Sequence, residues 1–168
     1  MIAARPAGKK GVMGLNSVSV DGPVGAAPAD VFGYIADMRN HHPRFLPPAF
    51  SDFEVASGGV GAGSVVTFKF TAGGRSRDFR VTVAEPEPGR RLVETDANST
   101  SVTTFVVEPT AGGTSKVTIG TEWQGASGIG GFFERVFAPR VLRSIYADEL
   151  RRLDAYAREQ AASRTGSD

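Results

Sequence analysis

The sequence predicts an α+β domain in which a curved antiparallel sheet wraps a long C-terminal helix, in the order β-αα-β6-α. Segments between residues 51 and 123 alternate apolar and polar side chains at a period of two, as half-buried strands do. Short turns at AGG (72–74), EPEPG (85–89) and AGG (111–113) separate neighbouring segments closely enough for hairpins, so the strands form a meander. From Phe132 to Glu159 the period changes to that of a helix.

Residues 15–24 open the sheet, with Val18, Val20 and Val24 in partial alternation. Pro28 stands at a helix start, where a missing N–H costs nothing, and Val31, Ile35 and Met38 share one face of the helix that follows. That helix ends near Arg39-Asn40. RNHHPRFLPPAF holds one further helical turn around Arg44-Phe45-Leu46 before Pro47 and Pro48 stop it. SDFEVAS (51–57) is the next strand, followed by GGVGAG, read as a loose joint. In SVVTFKFT (64–71), Val66, Phe68 and Phe70 are placed inward. In RDFRVTV (77–83), Phe79, Val81 and Val83 face the same way, and Pro86 and Pro88 close the strand. RRLVETD, STSVTTFVVEP and SKVTIGTEW complete the sheet. The phase of the middle one stays open between Thr103/Phe105/Val107 and Val102/Thr104/Val106. In the last, Val117, Ile119, Thr121 and Trp123 look interior, leaving Glu122 to solvent unless a bulge shifts the phase. GASGIGG is a joint before the helix. Phe133, Phe137, Val141 and Ile145, with Leu142, Tyr146, Leu150, Leu153 and Ala157, build a broad apolar stripe. Pro139 bends this helix or marks its true start.

The 168 residues fit one domain, read as a leader at 1–13, a folded unit at 14–158 and a frayed tail at 159–168. A formal net charge of +1 gives no reason to expect nucleic acid, and no apolar run is long enough to span a bilayer. The absence of cysteine excludes disulfides and a thiol nucleophile and fits a cytoplasmic setting. Eleven Phe against three Tyr and one Trp can fill a core or line a cavity for an apolar guest.

The element order and three segments, PADVFGYIADMRNHHPRF, GVGAGSVVTFKF and GGFFERVFAPRVLRSIYADELRRL, resemble the START-like superfamily that includes the birch-pollen-allergen fold. Within it, the chain looks most like the polyketide cyclase/dehydrase and lipid-transport group (SRPBCC). The resemblance covers residues 15–158 and implies a helix-grip fold. It implies either binding or transport of a small hydrophobic ligand, lipid or polyketide-like, or a cyclase, aromatase or dehydrase reaction. Phe45 stands where relatives commonly carry Trp. The resemblance supplies no shared catalytic motif, because this fold hosts many unrelated roles.

The candidate ligand-binding residues are Phe68, Phe70, Phe79, Val81, Phe105, Ile119, Phe133, Phe137, Val141 and Ile145. For proton transfer the candidates are His42, Tyr34 and Tyr146: an imidazole near neutrality shuttles protons, and a hydroxyl on an apolar helix face orients a carbonyl. The competing roles are a polar helix cap for His41-His42 and core packing for the tyrosines. Asp78 and Glu122 would act as bases only if they point inward. Arg44 and Arg140 would guide an anionic head group, or simply pair at the surface. The glycine clusters lack the companion residues of phosphate loops, and two adjacent His without metal-ligand spacing are no zinc site. No cofactor and no metal are expected. The expected partner is a small hydrophobic molecule, with a homodimer left open and a filled-core interaction module as the remaining alternative.

Overall fold

The computed structural model describes residues 14–125 and 139–165. Its seven strands are β1 (Leu15–Val24), β2 (Phe50–Ser57), β3 (Val65–Ala72), β4 (Arg75–Glu87), β5 (Arg91–Asp96), β6 (Val102–Pro109) and β7 (Ser115–Gln124). They form one sheet in the order β1-β7-β6-β5-β4-β3-β2, with every neighbouring pair antiparallel. Helix α1 spans Pro28–Ala36, a 3-10 turn spans His42–Arg44, and the long helix α2 spans Pro139–Thr165. The meander follows from the turns. Gly73 and Gly74 both take positive φ (56° and 75°), the twist that a two-residue hairpin between β3 and β4 needs.

The inward set agrees with strand parity on β3, β4 and β7. Val66, Phe70, Phe79, Val81, Val83, Val117, Ile119 and Trp123 are buried, and Asp78 and Glu122 face solvent. On β6 the open choice resolves to Phe105 and Val107 as the buried pair. Pro86 does not end β4. It lies where the register with β5 shifts between Ala84 and Glu87, an irregularity that tolerates a residue without an N–H.

Helix α2 packs across β1, where Gly22 lets it come close: a Cβ there would stand 3.4 Å from Leu150 Cδ1. Leu142, Tyr146, Glu149, Leu150, Leu153 and Ala157 are its buried face. That rotation turns Val141, expected in the apolar stripe, to solvent at 37% exposure. The helix also runs past the expected frayed start at 159. Ala161 and Ala162 favour helix, and Arg164 pairs with Asp30 (3.2 Å) and donates to the Tyr34 hydroxyl, tying the end of α2 to α1.

The 58–63 segment, expected to be loose, is pinned. Gly61 N–H donates to Ala36 O (2.9 Å) and Met38 N–H to Gly59 O (2.8 Å), clasping the end of α1. Gly58 has φ 68°, and an added Cβ would stand 2.9 Å from the Ser64 Cα. Gly58→Ala is therefore expected to cost roughly 1–3 kcal/mol. The check is a lowered urea midpoint at unchanged slope; an unshifted midpoint would show that the loop carries no such constraint.

Candidate functional site

Between the sheet, the 3-10 turn and α2 lies a cavity of about 50 Å³. Its two sides differ in chemistry because they come from different strands. β2, β3 and β4 contribute Phe50, Phe53, Phe68, Phe70, Phe79 and Val81. β5, β6, β7 and α2 contribute Glu94, Asp96, Thr103, Phe105, Thr121, Leu142, Tyr146 and Glu149, with Ser101, His42 and Leu46 closing the ends.

The aromatic side is a stack. Phe79 and Phe68 lie 5.2 Å apart at 7°, Phe68 and Phe53 6.3 Å apart at 11°, and Phe53 and His42 6.0 Å apart at 12°. The Arg77 guanidinium covers Phe79 at 4.4 Å. Phe50, Phe53 and Phe68 keep partial exposure, so this side carries the mouth.

The polar side holds groups that burial has altered. Glu149 is 1% exposed, and desolvation, reinforced by Glu94 and Asp148, pushes its carboxyl up to about 8. Glu94 is half-buried as a residue, but desolvation of its carboxyl pushes it up to about 7. Neither carboxyl has a hydrogen-bond partner among the described residues. Tyr146, one turn before Glu149, shares a hydrogen bond with Thr121, which meets Thr103 at 2.8 Å. Burial, above all, raises its phenol beyond the usual range, so it works as a neutral hydroxyl. His42 is 3% exposed and pushed down to about 4 by desolvation. Its Nδ1 lies 2.7 Å from Ile35 O, a carbonyl that can only accept, so Nδ1 carries the proton and Nε2 keeps a lone pair. At one end Asp96 accepts from Arg77 Nη2 (2.7 Å), Ser99 Oγ (2.7 Å) and Arg80 N–H (3.2 Å).

Of the residues singled out from sequence, Phe68, Phe70, Phe79, Val81, Phe105, His42 and Tyr146 line this cavity. Ile119 is fully buried but belongs to the core between β1 and β6, opposite Val20 and Phe105. Ile145 packs against the core without lining the cavity, and Val141 faces out. Tyr34 stands away from it, packed on His41 and Tyr156 and hydrogen-bonded to Arg164. Arg44 and Arg140 are exposed. Phe133, Phe137 and most of the GASGIGG joint lie outside the described residues. Glu94, Asp96 and Glu149 were not anticipated. The sequence offers only weak signals: Glu94 and Asp96 share the strand side of Leu92 on β5, and Glu149 falls three residues after Tyr146 beside the apolar stripe of α2.

Among the described residues no helix is long and apolar enough to cross a membrane, and no three metal-ligating side chains gather. The family model described as polyketide cyclase / dehydrase and lipid transport matches residues 16–158. A solution structure of KanY protein is 36% identical, covering 87% of this chain and 99% of that one at a TM-score of 0.76. The aromatase/cyclase ZhuI from a Streptomyces species matches at 15% identity over 88% of this chain and 96% of its own, with a TM-score of 0.69. A major latex-like protein from Panax ginseng matches at 16% identity over 85% and 97%, with a TM-score of 0.64. The latter two similarities speak for the fold alone. No curated protein matches by sequence. The sheet, the gripping helix and the match across 16–158 agree: the chain belongs to the START-like polyketide cyclase/dehydrase and lipid-transport family.

Proposed function

We propose that the protein binds a small, mainly apolar molecule carrying one polar end, with the apolar body against the phenylalanines of β2–β4 and the polar end toward α2 and β5. The observation that carries this reading is Glu149, 1% exposed and aimed without a described partner into a Phe-lined space. A core evolved only to be filled does not leave a carboxyl so placed, because a buried polar group without a partner is costly. A space of about 50 Å³ holds a few waters, so a guest of ten heavy atoms enters by displacing the half-exposed rings at the mouth.

Phe68→Ala tests this. Because Phe68 is half-buried at the mouth, its truncation is expected to lose less than the roughly 3–5 kcal/mol of a packed phenylalanine. It is also expected to change the amount of small molecule that native mass spectrometry finds on freshly purified protein. A full core-sized loss of stability, with nothing bound to either form, would favour the filled-core alternative.

A second reading has its own observation. The His42 lone pair and two carboxyls pushed toward neutrality share one cavity, which suits proton transfer in a cyclase- or dehydrase-like reaction. Recovery of the bound compound chemically changed after incubation would favour that reading over carriage.

A further inference from the structure

Among the described lining residues, the polar groups without a hydrogen-bond partner are acceptors once the carboxyls are ionised. The carboxylate oxygens of Glu94 and Glu149 and the Nε2 lone pair of His42 accept; a carboxyl that keeps its proton, and the hydroxyls of Ser101, Thr103, Thr121 and Tyr146, can also donate. The hydroxyls of Thr103, Thr121 and Tyr146 are engaged with one another. No lysine or arginine is among the described residues lining the cavity. Arg77, on the same side of β4, is held by Asp96 at 2.7 Å. A guest that satisfies this wall must therefore bring the donors, and one that also brings positive charge offsets the carboxyls.

We propose that the cavity selects an organic cation, an amine on an apolar or aromatic body, whose N–H groups bridge Glu94 and Glu149. This rests on the binding reading above and names the ligand class. A primary ammonium has three donors, enough for both carboxylates and one hydroxyl of the Thr103–Thr121–Tyr146 chain. A neutral carbonyl compound fits worse. It brings only an acceptor, whose two lone pairs protonated carboxyls can meet but which leaves every ionised carboxylate without a donor. An organic anion would face two carboxyls with no lysine or arginine among the described lining residues to meet it. The apolar wall accommodates the rest of the molecule and discriminates weakly between bodies of similar size.

The pH dependence separates the cases. The groups facing the pair are Tyr146 and Asp148 on α2, Asp96 on β5, locked to Arg77 of β4, and the neutral His42 from the 3-10 turn. Asp148 is held ionised by Arg152 and Arg151. Of these groups, Glu94 and Glu149 are the ones that burial shifts into the range of about pH 6 to 8. A cation must displace their protons, so its affinity rises with pH over that range, by up to roughly tenfold per unit for each proton released. A carbonyl guest needs those protons and weakens instead.

The experiment is calorimetric and NMR titration of the full chain with benzylamine and 2-phenylethylamine, and with benzyl alcohol and acetophenone as neutral counterparts. The expected result is at least tenfold tighter binding of the amines at pH 8. That preference should be lost in Glu149→Gln while the neutral compounds still bind. Heats measured in buffers of different ionisation enthalpy should report proton release with the amines alone. Equal or tighter binding of the neutral compounds, with affinity flat or falling as pH rises, overturns the cation and leaves the apolar-ligand reading standing. No perturbation of cavity resonances by any of the four compounds overturns both.

Discussion

Asp96→Ala is expected to lose about 3–5 kcal/mol of stability, the cost of removing one partner from a buried charge pair. The Asp96 side chain is 1% exposed and that of Arg77 13%, at 2.7 Å. Asp96 also accepts from the Arg80 N–H and the Ser99 hydroxyl, so the substitution takes the carboxylate from the guanidinium above Phe79 and unties the turn between β5 and β6. Against a total stability on the order of 5–15 kcal/mol, such a loss is large. It would appear as a urea midpoint shift at unchanged slope. The double variant Arg77→Met, Asp96→Leu makes the cause visible. It removes both charges from an apolar setting, and most of the loss should return, because a buried pair contributes little beyond what matched apolar groups supply. A double variant as unstable as the single one would mean that Asp96 acts through Arg80 and Ser99 rather than through Arg77.

Asp96 also shows why the sheet was legible in the sequence and half of the cavity was not. Alternation in VVTFKF and RDFRVTV fixes which side of β3 and β4 is apolar, since hydrophobic residues cannot be put on the wet face without loss. Phe68, Phe70, Phe79 and Val81 were therefore placed inward from sequence, and they line the cavity. On RRLVETD the inward residues are Leu92, Glu94 and Asp96 and the outward ones Arg91, Val93 and Thr95, so each side mixes apolar and charged groups and hydrophobicity carries almost no phase. Only the antiparallel register settles it, setting Glu94 opposite Val83 and Thr103. Helix α2 hid Glu149 for a related reason. An acidic residue beside Leu150 reads as the edge of an apolar stripe until the close approach of β1 at Gly22 sets the rotation of the helix. The same rotation put Val141 outside. Tyr34 is a proton-transfer candidate in the sequence because its hydroxyl stands on an apolar helix. Its partners Tyr156 and Arg164 come from 122 and 130 residues further along, a distance at which local pattern is silent.

Glu149→Gln should raise stability by a few kcal/mol at about pH 8.5 and leave it unchanged at about pH 4. Glutamine keeps the shape of the side chain and cannot ionise. In the wild type, the carboxyl titrates near 8 when folded against an ordinary value of 4.5. Between those values the folded state holds a proton that the unfolded chain has released. Unfolding free energy therefore falls as pH rises, by at most about 1.4 kcal/mol per unit for one group. The cost is absent below the ordinary value and complete above the folded one. Glu94 behaves in the same direction, with its folded value near 7. The two carboxyls disfavour each other's charge, so removing Glu149 also relieves Glu94. The double variant Glu94→Gln, Glu149→Gln should then gain less than the sum of the two single changes. His42 works from the other side. Its folded value near 4 lies below the ordinary 6.5, so the unfolded chain takes up a proton that the folded one refuses, and stability present above 6.5 is lost as pH falls toward 4. The carboxyl contributions grow more favourable over part of that same descent, which flattens the acid side and leaves the alkaline side as the clear signature of Glu149. Urea melts of wild type and variant across this range read the difference directly. A gain of equal size at both pH values would place its origin in packing, and no gain at alkaline pH would mean that water reaches the carboxyl well enough to solvate its charge.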